Sequence, residues 1–151
     1  PGFENSNQGG DLDIYGTGGS VRFSGAGAGV TVIQGPGLVV GTDRILHVGA
    51  DGPAAIAVEV HNLTLRNGMA PQGGGAIYVN SGATLLVEDS VLTGNSATFG
   101  GGMSNNGNGG AIFLNSASAT IRRSELSDNL ARGATGPATV GGGAVGEAAA
   151  G

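Results

Sequence analysis

The chain has 151 residues, with six arginines and no lysine against eleven acidic side chains, for a formal net charge of −5. That balance offers no basic face, and no apolar run approaches the length of a spanning helix, so neither nucleic-acid binding nor membrane insertion is expected. Cysteine is absent, which removes disulfides, thiolate metal sites and cysteine nucleophiles.

No signal-peptide pattern opens the sequence, so a start after processing or inside a larger protein is expected. Glycine and proline number 33 and 5, a level at which disorder is common. Sparse charge and many β-branched residues argue for an ordered chain instead. In chain order, the first alternating runs are "LDIYG", "VRFSG" and "VTVIQG", between residues 12 and 35. They read as three short strands separated by Gly-rich turns. "RILHVG" (44–49), "AIAVEV" (55–60) and "LTLRNG" (63–68) follow in the same style. Then come "GGGAIYVNSG" (73–82), "TLLVED" (84–89) and "SVLTGN" (90–95), and after them "NGGAIFLNSA" (108–117), "ATIRRS" (119–124) and "SELSDN" (124–129). A last "GGGAV" (141–145) begins the phrase again.

Superimposing the Gly-Gly-Ala phrases puts Ile77, Ile112 and Val145 in one column, at intervals of 35 and 33 residues. A second column holds Leu65, Leu92 and Leu126; others hold Val60, Val87 and Ile121, and Val58, Leu85 and Ala119. Leu46 and Val48 align with Ile77 and Val79. One strand triplet cannot bury its apolar side alone, whereas stacked triplets make a continuous inner column. No sustained helical stripe competes with this reading. The fold expected is all-β: a single-stranded parallel β-helix (β-solenoid) with three strands per turn and about four to five turns. Residues 1–151 form one solenoid domain, a segment of a longer solenoid or one subunit of a stacked assembly. In the corners, Gly74, Gly75, Gly109 and Gly110 permit sharp bends where a Cβ would clash. Asn80, Asn95, Asn115 and Asn129 suit left-handed bends and can hydrogen-bond their neighbours in the next turn.

At these residues the chain resembles the repeats of polymorphic outer-membrane proteins, marked by GGA[ILV] and FxxN. The first motif reads "GGAI" at 74–77 and 109–112 and "GGAV" at 142–145. The second is weakened to "LTGN" (92–95) and "LSDN" (126–129), with Leu in place of Phe. More broadly, the chain looks like the right-handed parallel β-helices of the pectate-lyase-like superfamily. The resemblance covers about residues 44–145. It implies the fold and a right-handed coil; its members range from adhesins and surface filaments to polysaccharide-degrading enzymes.

A polysaccharide lyase of this kind would be expected to use clustered carboxylates on Ca²⁺ with an arginine base. Here the columns set His61, Glu88 and Arg122 in one line and Asn62, Asp89 and Arg123 in the next. Glu88 is therefore expected to face Arg122, and Asp89 to face Arg123, as charge pairs between turns. A carboxylate engaged by arginine is a poor metal ligand. Glu125 and Asp128 fall in a corner, badly placed for glycosidase work, and no nucleophile-elbow pattern marks a serine. Calcium has one foothold, the single "GGDLDIYG" (9–16); Asp11 and Asp13 read there as a solvated strand edge, and no cofactor is expected. "GAGAGV" (25–30) lacks the third glycine of a dinucleotide loop and a following helix. His47, Tyr78 and Phe113 form a column facing away from Leu46, Ile77 and Ile112, an aromatic ladder suited to stacking on a surface glycan or meeting another subunit.

A solenoid's last turn exposes strand edges and open core, and no polar cap is legible at either end. The function expected is a non-enzymatic extracellular or bacterial cell-surface building block that self-associates through its ends, with an adhesive role open to it. The alternative is a polysaccharide-binding or polysaccharide-cleaving β-helix.

Overall fold

Alternation gives the longer strands one apolar face, and the repeat stacks those faces. The computed structural model describes residues 11–16, 18–35, 43–50, 55–71, 73–98 and 108–132, and among them there is no helix. The first turn carries β1 (Leu12–Gly16), β2 (Gly19–Ser24) and β3 (Val32–Gln34). The second carries β4 (Leu46–Ala50), β5 (Ile56–His61), β6 (Thr64–Arg66) and β7 (Met69–Ala70). The third carries β8 (Ile77–Val79), β9 (Ala83–Glu88), β10 (Val91–Thr93) and β11 (Ser96–Thr98). The fourth carries β12 (Ile112–Leu114), β13 (Ser118–Arg122), β14 (Glu125–Ser127) and β15 (Leu130–Arg132).

These strands form four parallel sheets, ordered β1-β4-β8-β12, β2-β5-β9-β13, β3-β6-β10-β14 and β7-β11-β15. The chain is a β-solenoid of four described turns. The last sheet corrects the expectation of three strands per turn: Ala70, Ala97 and Ala131 pair in register along it. Its strands are two or three residues long, too short to display an alternation. The phrase at 141–145, and with it Val145 and the start of a fifth turn, lies outside the described residues.

Register follows the sequence columns. Leu46 pairs with Ile77 and Ile77 with Ile112. Val58, Leu85 and Ala119 align, as do Val60, Val87 and Ile121, and Leu65, Leu92 and Leu126. Val48, Val60, Leu65, Ile77, Val79, Val87 and Leu92 are all at 0 % exposure. Burying each such side chain stabilises the fold by about 1.5–3 kcal/mol. The outer turns are looser: Val21, Phe23, Ile33, Ala119, Ile121 and Leu126 are only partly buried against the core.

Two corner devices hold the turns together. Gly74 and Gly109 open their bends at φ of +63° and +58°, a region costly for other residues. The following glycines serve close approach: a Cβ on Gly75 would fall on the carbonyl oxygen of Gly110, and one on Gly110 would meet the Leu130 backbone at 2.6 Å. The asparagines are ladder rungs. Asn115 Nδ2 donates to Asn80 Oδ1 at 2.9 Å, and Asn95 Nδ2 to Asn129 Oδ1 at 3.0 Å. None of Asn80, Asn95, Asn115 and Asn129 has a left-handed backbone, however. That conformation falls on other corner residues: Asn62, Asp89 and Arg123 at φ 53°, 50° and 44°, and Asn67, Gly94 and Asp128 at 57°, 63° and 54°.

Candidate functional site

On the first sheet the residues between inward Leu46 and Val48, and between their counterparts, point outward. Asp13, His47, Tyr78 and Phe113 therefore stack in register. The rings of Tyr15 and His47 lie 5.3 Å apart, His47 and Tyr78 5.0 Å, and Tyr78 and Phe113 5.2 Å, tilted edge to face. The column is not the exposed ladder expected from sequence. His47 is buried, and Tyr78 and Phe113 are half-buried. Arg44 places its guanidinium carbon 5.0 Å from the Tyr78 ring centre, and Tyr15 lies across Gly49, where a Cβ would meet its ring. The rings pack against one another and these neighbours, and Tyr78 and Phe113 keep part of their surface in solvent.

Beside this column the sequence reading missed a cluster. Asp11 and Asp13 sit two residues apart on the outward side of β1, and their side chains are each only 3 % exposed, so they are not a solvated strand edge. Asp13 Oδ1 lies 3.2 Å from His47 Nδ1, and Tyr15 Oη lies 3.2 Å from each ring nitrogen of His47. Arg44 Nη1 stands 3.9 Å from Asp11 Oδ2. Burial, with the nearby charges of Asp43 and Asp13, pushes the Asp11 carboxyl up to about 6. Burial and then Arg44 hold the His47 imidazole below its usual range, against the pull of Asp13 and Asp43. The signal that would have found this cluster is the alignment of "LDIYG" onto "ILHVG", which sets Asp13 against His47.

A second outward array runs along the sheet of β2, β5, β9 and β13. Glu88 faces Arg122 in register, but its carboxylate turns elsewhere: Oε1 pairs with Arg123 Nη2 at 2.8 Å and Oε2 with His61 Nδ1 at 3.2 Å. Arg123 also grips Asp89 with both arms, Nε to Oδ1 at 2.7 Å and Nη2 to Oδ2 at 2.9 Å. His61 Nε2 lies 3.1 Å from Glu59 Oε2, and Arg22 Nε lies 3.7 Å from the same oxygen. Arg22, Glu59, His61, Glu88, Arg123 and Asp89 thus form one chain of polar contacts through all four described turns. An exposed pair alone is worth about 1 kcal/mol at most, but a two-armed arginine in a network holds its geometry better.

The Arg123 hydrogen bond keeps the Asp89 carboxyl below the ordinary carboxylate range. Its stabilising share is present above the unfolded value of about 3.9 and is lost as pH falls through the lower folded value. Arg123→Ala is expected to bring the Asp89 titration, followed by carboxyl-carbon NMR, back to the ordinary range. An unchanged midpoint would show that the grip seen here does not persist in solution.

Residues of the fourth turn, Ile112, Phe113, Ile121, Leu126 and Asn129 among them, line a cavity of about 670 Å³. Comparison of the chain with protein-family models, with curated proteins and with solved structures finds no match.

Proposed function

We propose that the chain is a non-enzymatic extracellular structural solenoid, a bacterial cell-surface or filament building block that stacks end to end. The observation that supports this reading is the register of the four described turns, which stack four parallel sheets in one direction. At the fourth-turn end Ile121 and Leu126 border a cavity of about 670 Å³. Parallel strands present the same direction at both ends, so one copy can continue the sheets of the next. Such a head-to-tail contact does not close on itself and grows a filament. The resemblance to the GGA[ILV] repeats of surface proteins points the same way. We take the coil to be right-handed, because crossovers between parallel strands of one sheet are right-handed in about 98 % of cases.

The alternative, a polysaccharide-binding or polysaccharide-cleaving face, has less to stand on: Glu88 and Asp89 are engaged by Arg123, and the aromatic column is packed against its neighbours. Electron microscopy and sedimentation of the purified chain test the choice. Rods that lengthen with concentration are expected, and Ile121→Lys, which sets a charge at the end of an apolar column, should shorten them while leaving the β-sheet spectrum intact. A monodisperse particle at all concentrations, or release of unsaturated sugars from an acidic polysaccharide, would overturn the proposal.

A further inference from the structure

The cluster between the first and second turns buries two carboxylates beside an imidazole, Asp11 and Asp13 against His47. The charges of Asp43, Asp13 and Arg44 all act on Asp11, and the same three act on His47. Arg44 reaches Oδ2 of Asp11, at 3.9 Å. Oδ1 of the same carboxylate is buried with no hydrogen-bond partner among the described residues. Leaving a charged oxygen so placed is costly unless a cation or a proton meets it.

One oxygen each of Asp11 and Asp13 and one ring nitrogen of His47 lie within 4.8 Å of one another. The His47 Nδ1 to Asp13 Oδ1 separation of 3.2 Å is close to the edge of a tetrahedron drawn around an ion. With ligands at about 2.0–2.1 Å that edge is about 3.3–3.4 Å. We propose that Asp11, Asp13 and His47 bind one divalent transition-series cation, of which zinc and cobalt are the matching ions. The imidazole nitrogen decides the class: calcium takes an all-oxygen shell, whereas a mixed nitrogen and carboxylate set suits zinc, cobalt or manganese. Two of the ligands come from the first turn and one from the second, so the ion would clip those turns together. Tyr15, resting on His47, and Arg44, holding the far oxygen of Asp11, fix the ligands' orientation. This inference is independent of the filament proposal.

The test is titration of the full, metal-stripped chain with zinc, cobalt and calcium chlorides separately. One zinc per chain is expected, with visible cobalt absorption bands, no calcium binding at the same concentration, and a Tm rise of about 5–10 °C at hundredfold excess over Kd. Asp11→Asn and His47→Gln should each weaken zinc binding about tenfold or more, whereas Asp89→Asn, in the other array, should leave it unchanged. A reading on the unaltered chain guards against misfolded variants: with two histidines in the sequence, zinc should move the ring nitrogen resonances of His47 and spare those of His61. Absence of zinc and cobalt binding, full affinity in a folded Asp11→Asn chain, or resonances moving at His61 instead of His47 would overturn the site.

Discussion

Asn95→Leu is expected to lower stability by about 2–4 kcal/mol while keeping side-chain volume nearly constant. Asn95 is at 0 % exposure. Its Oδ1 accepts the backbone N–H of Gly68 at 3.0 Å, and its Nδ2 donates to the Leu65 carbonyl at 3.1 Å and to Asn129 Oδ1 at 3.0 Å. One amide therefore joins the second, third and fourth turns at the corner between the third and fourth sheets. Leucine fills the space but leaves the buried Gly68 N–H without its acceptor, at a cost of about 1–3 kcal/mol, and removes the amide bonds to the Leu65 carbonyl and to Asn129. Urea unfolding with an unchanged slope and a lowered midpoint is the measurement. A loss below about 1 kcal/mol would mean that water or a shifted backbone takes over these bonds.

Gly75→Ala is the second large effect. The added methyl would fall on the Gly110 carbonyl oxygen and press on the backbone nitrogen of Ser96 at 2.5 Å and its oxygen at 2.6 Å. All three are main-chain atoms of strands or corners already fixed by inter-turn bonds, such as Gly75 N–H to the Gly110 carbonyl at 3.0 Å and Ser96 N–H to the Gly68 carbonyl at 2.8 Å. Neither neighbour can step aside without pulling two turns apart. A loss of about 3 kcal/mol or more is expected, large for a single methyl group. Gly29→Ala is the matched control: nothing lies within 4 Å of its added Cβ and its φ is not left-handed, so stability should hold or rise by up to about 1 kcal/mol. Equal effects at Gly75 and Gly29 would mean that the turns are not in contact at that corner.

These two sites also mark what the sequence made legible. The inner columns could be read because a repeat displays the same position several times, and Leu65, Leu92 and Leu126 align without reference to coordinates. The Gly-Gly phrase and the Asn rungs were visible for the same reason. What could not be read was the fourth sheet, since "MA", "SAT" and "LAR" are too short to carry a period. The backbone conformation of the asparagines was also hidden. A side-chain amide that bonds to the next turn explains a recurring Asn as well as a left-handed bend does, and here only the bonding applies. The charge array was legible by column but not by contact. Register fixes which α-carbons are neighbours, whereas a long arginine at a left-handed corner can reach one column over, as Arg123 does to Glu88. The Asp11, Asp13 and His47 cluster escaped because aligned columns show that Asp13 and His47 are neighbours but not that the outward side is buried there.

The most direct test of in-register stacking is a distance between spin labels at Ser20→Cys and Ser118→Cys. Both positions are exposed, and no native cysteine competes for label. Ser20 pairs with Ala57, Ala57 with Thr84 and Thr84 with Ser118, one position from each of the four turns. Three steps of about 4.8 Å put their backbones about 14 Å apart and the labels roughly 15–20 Å apart. A narrow distribution in that range is the expected result; a separation beyond roughly 30 Å would contradict coiling of this chain into superimposed turns.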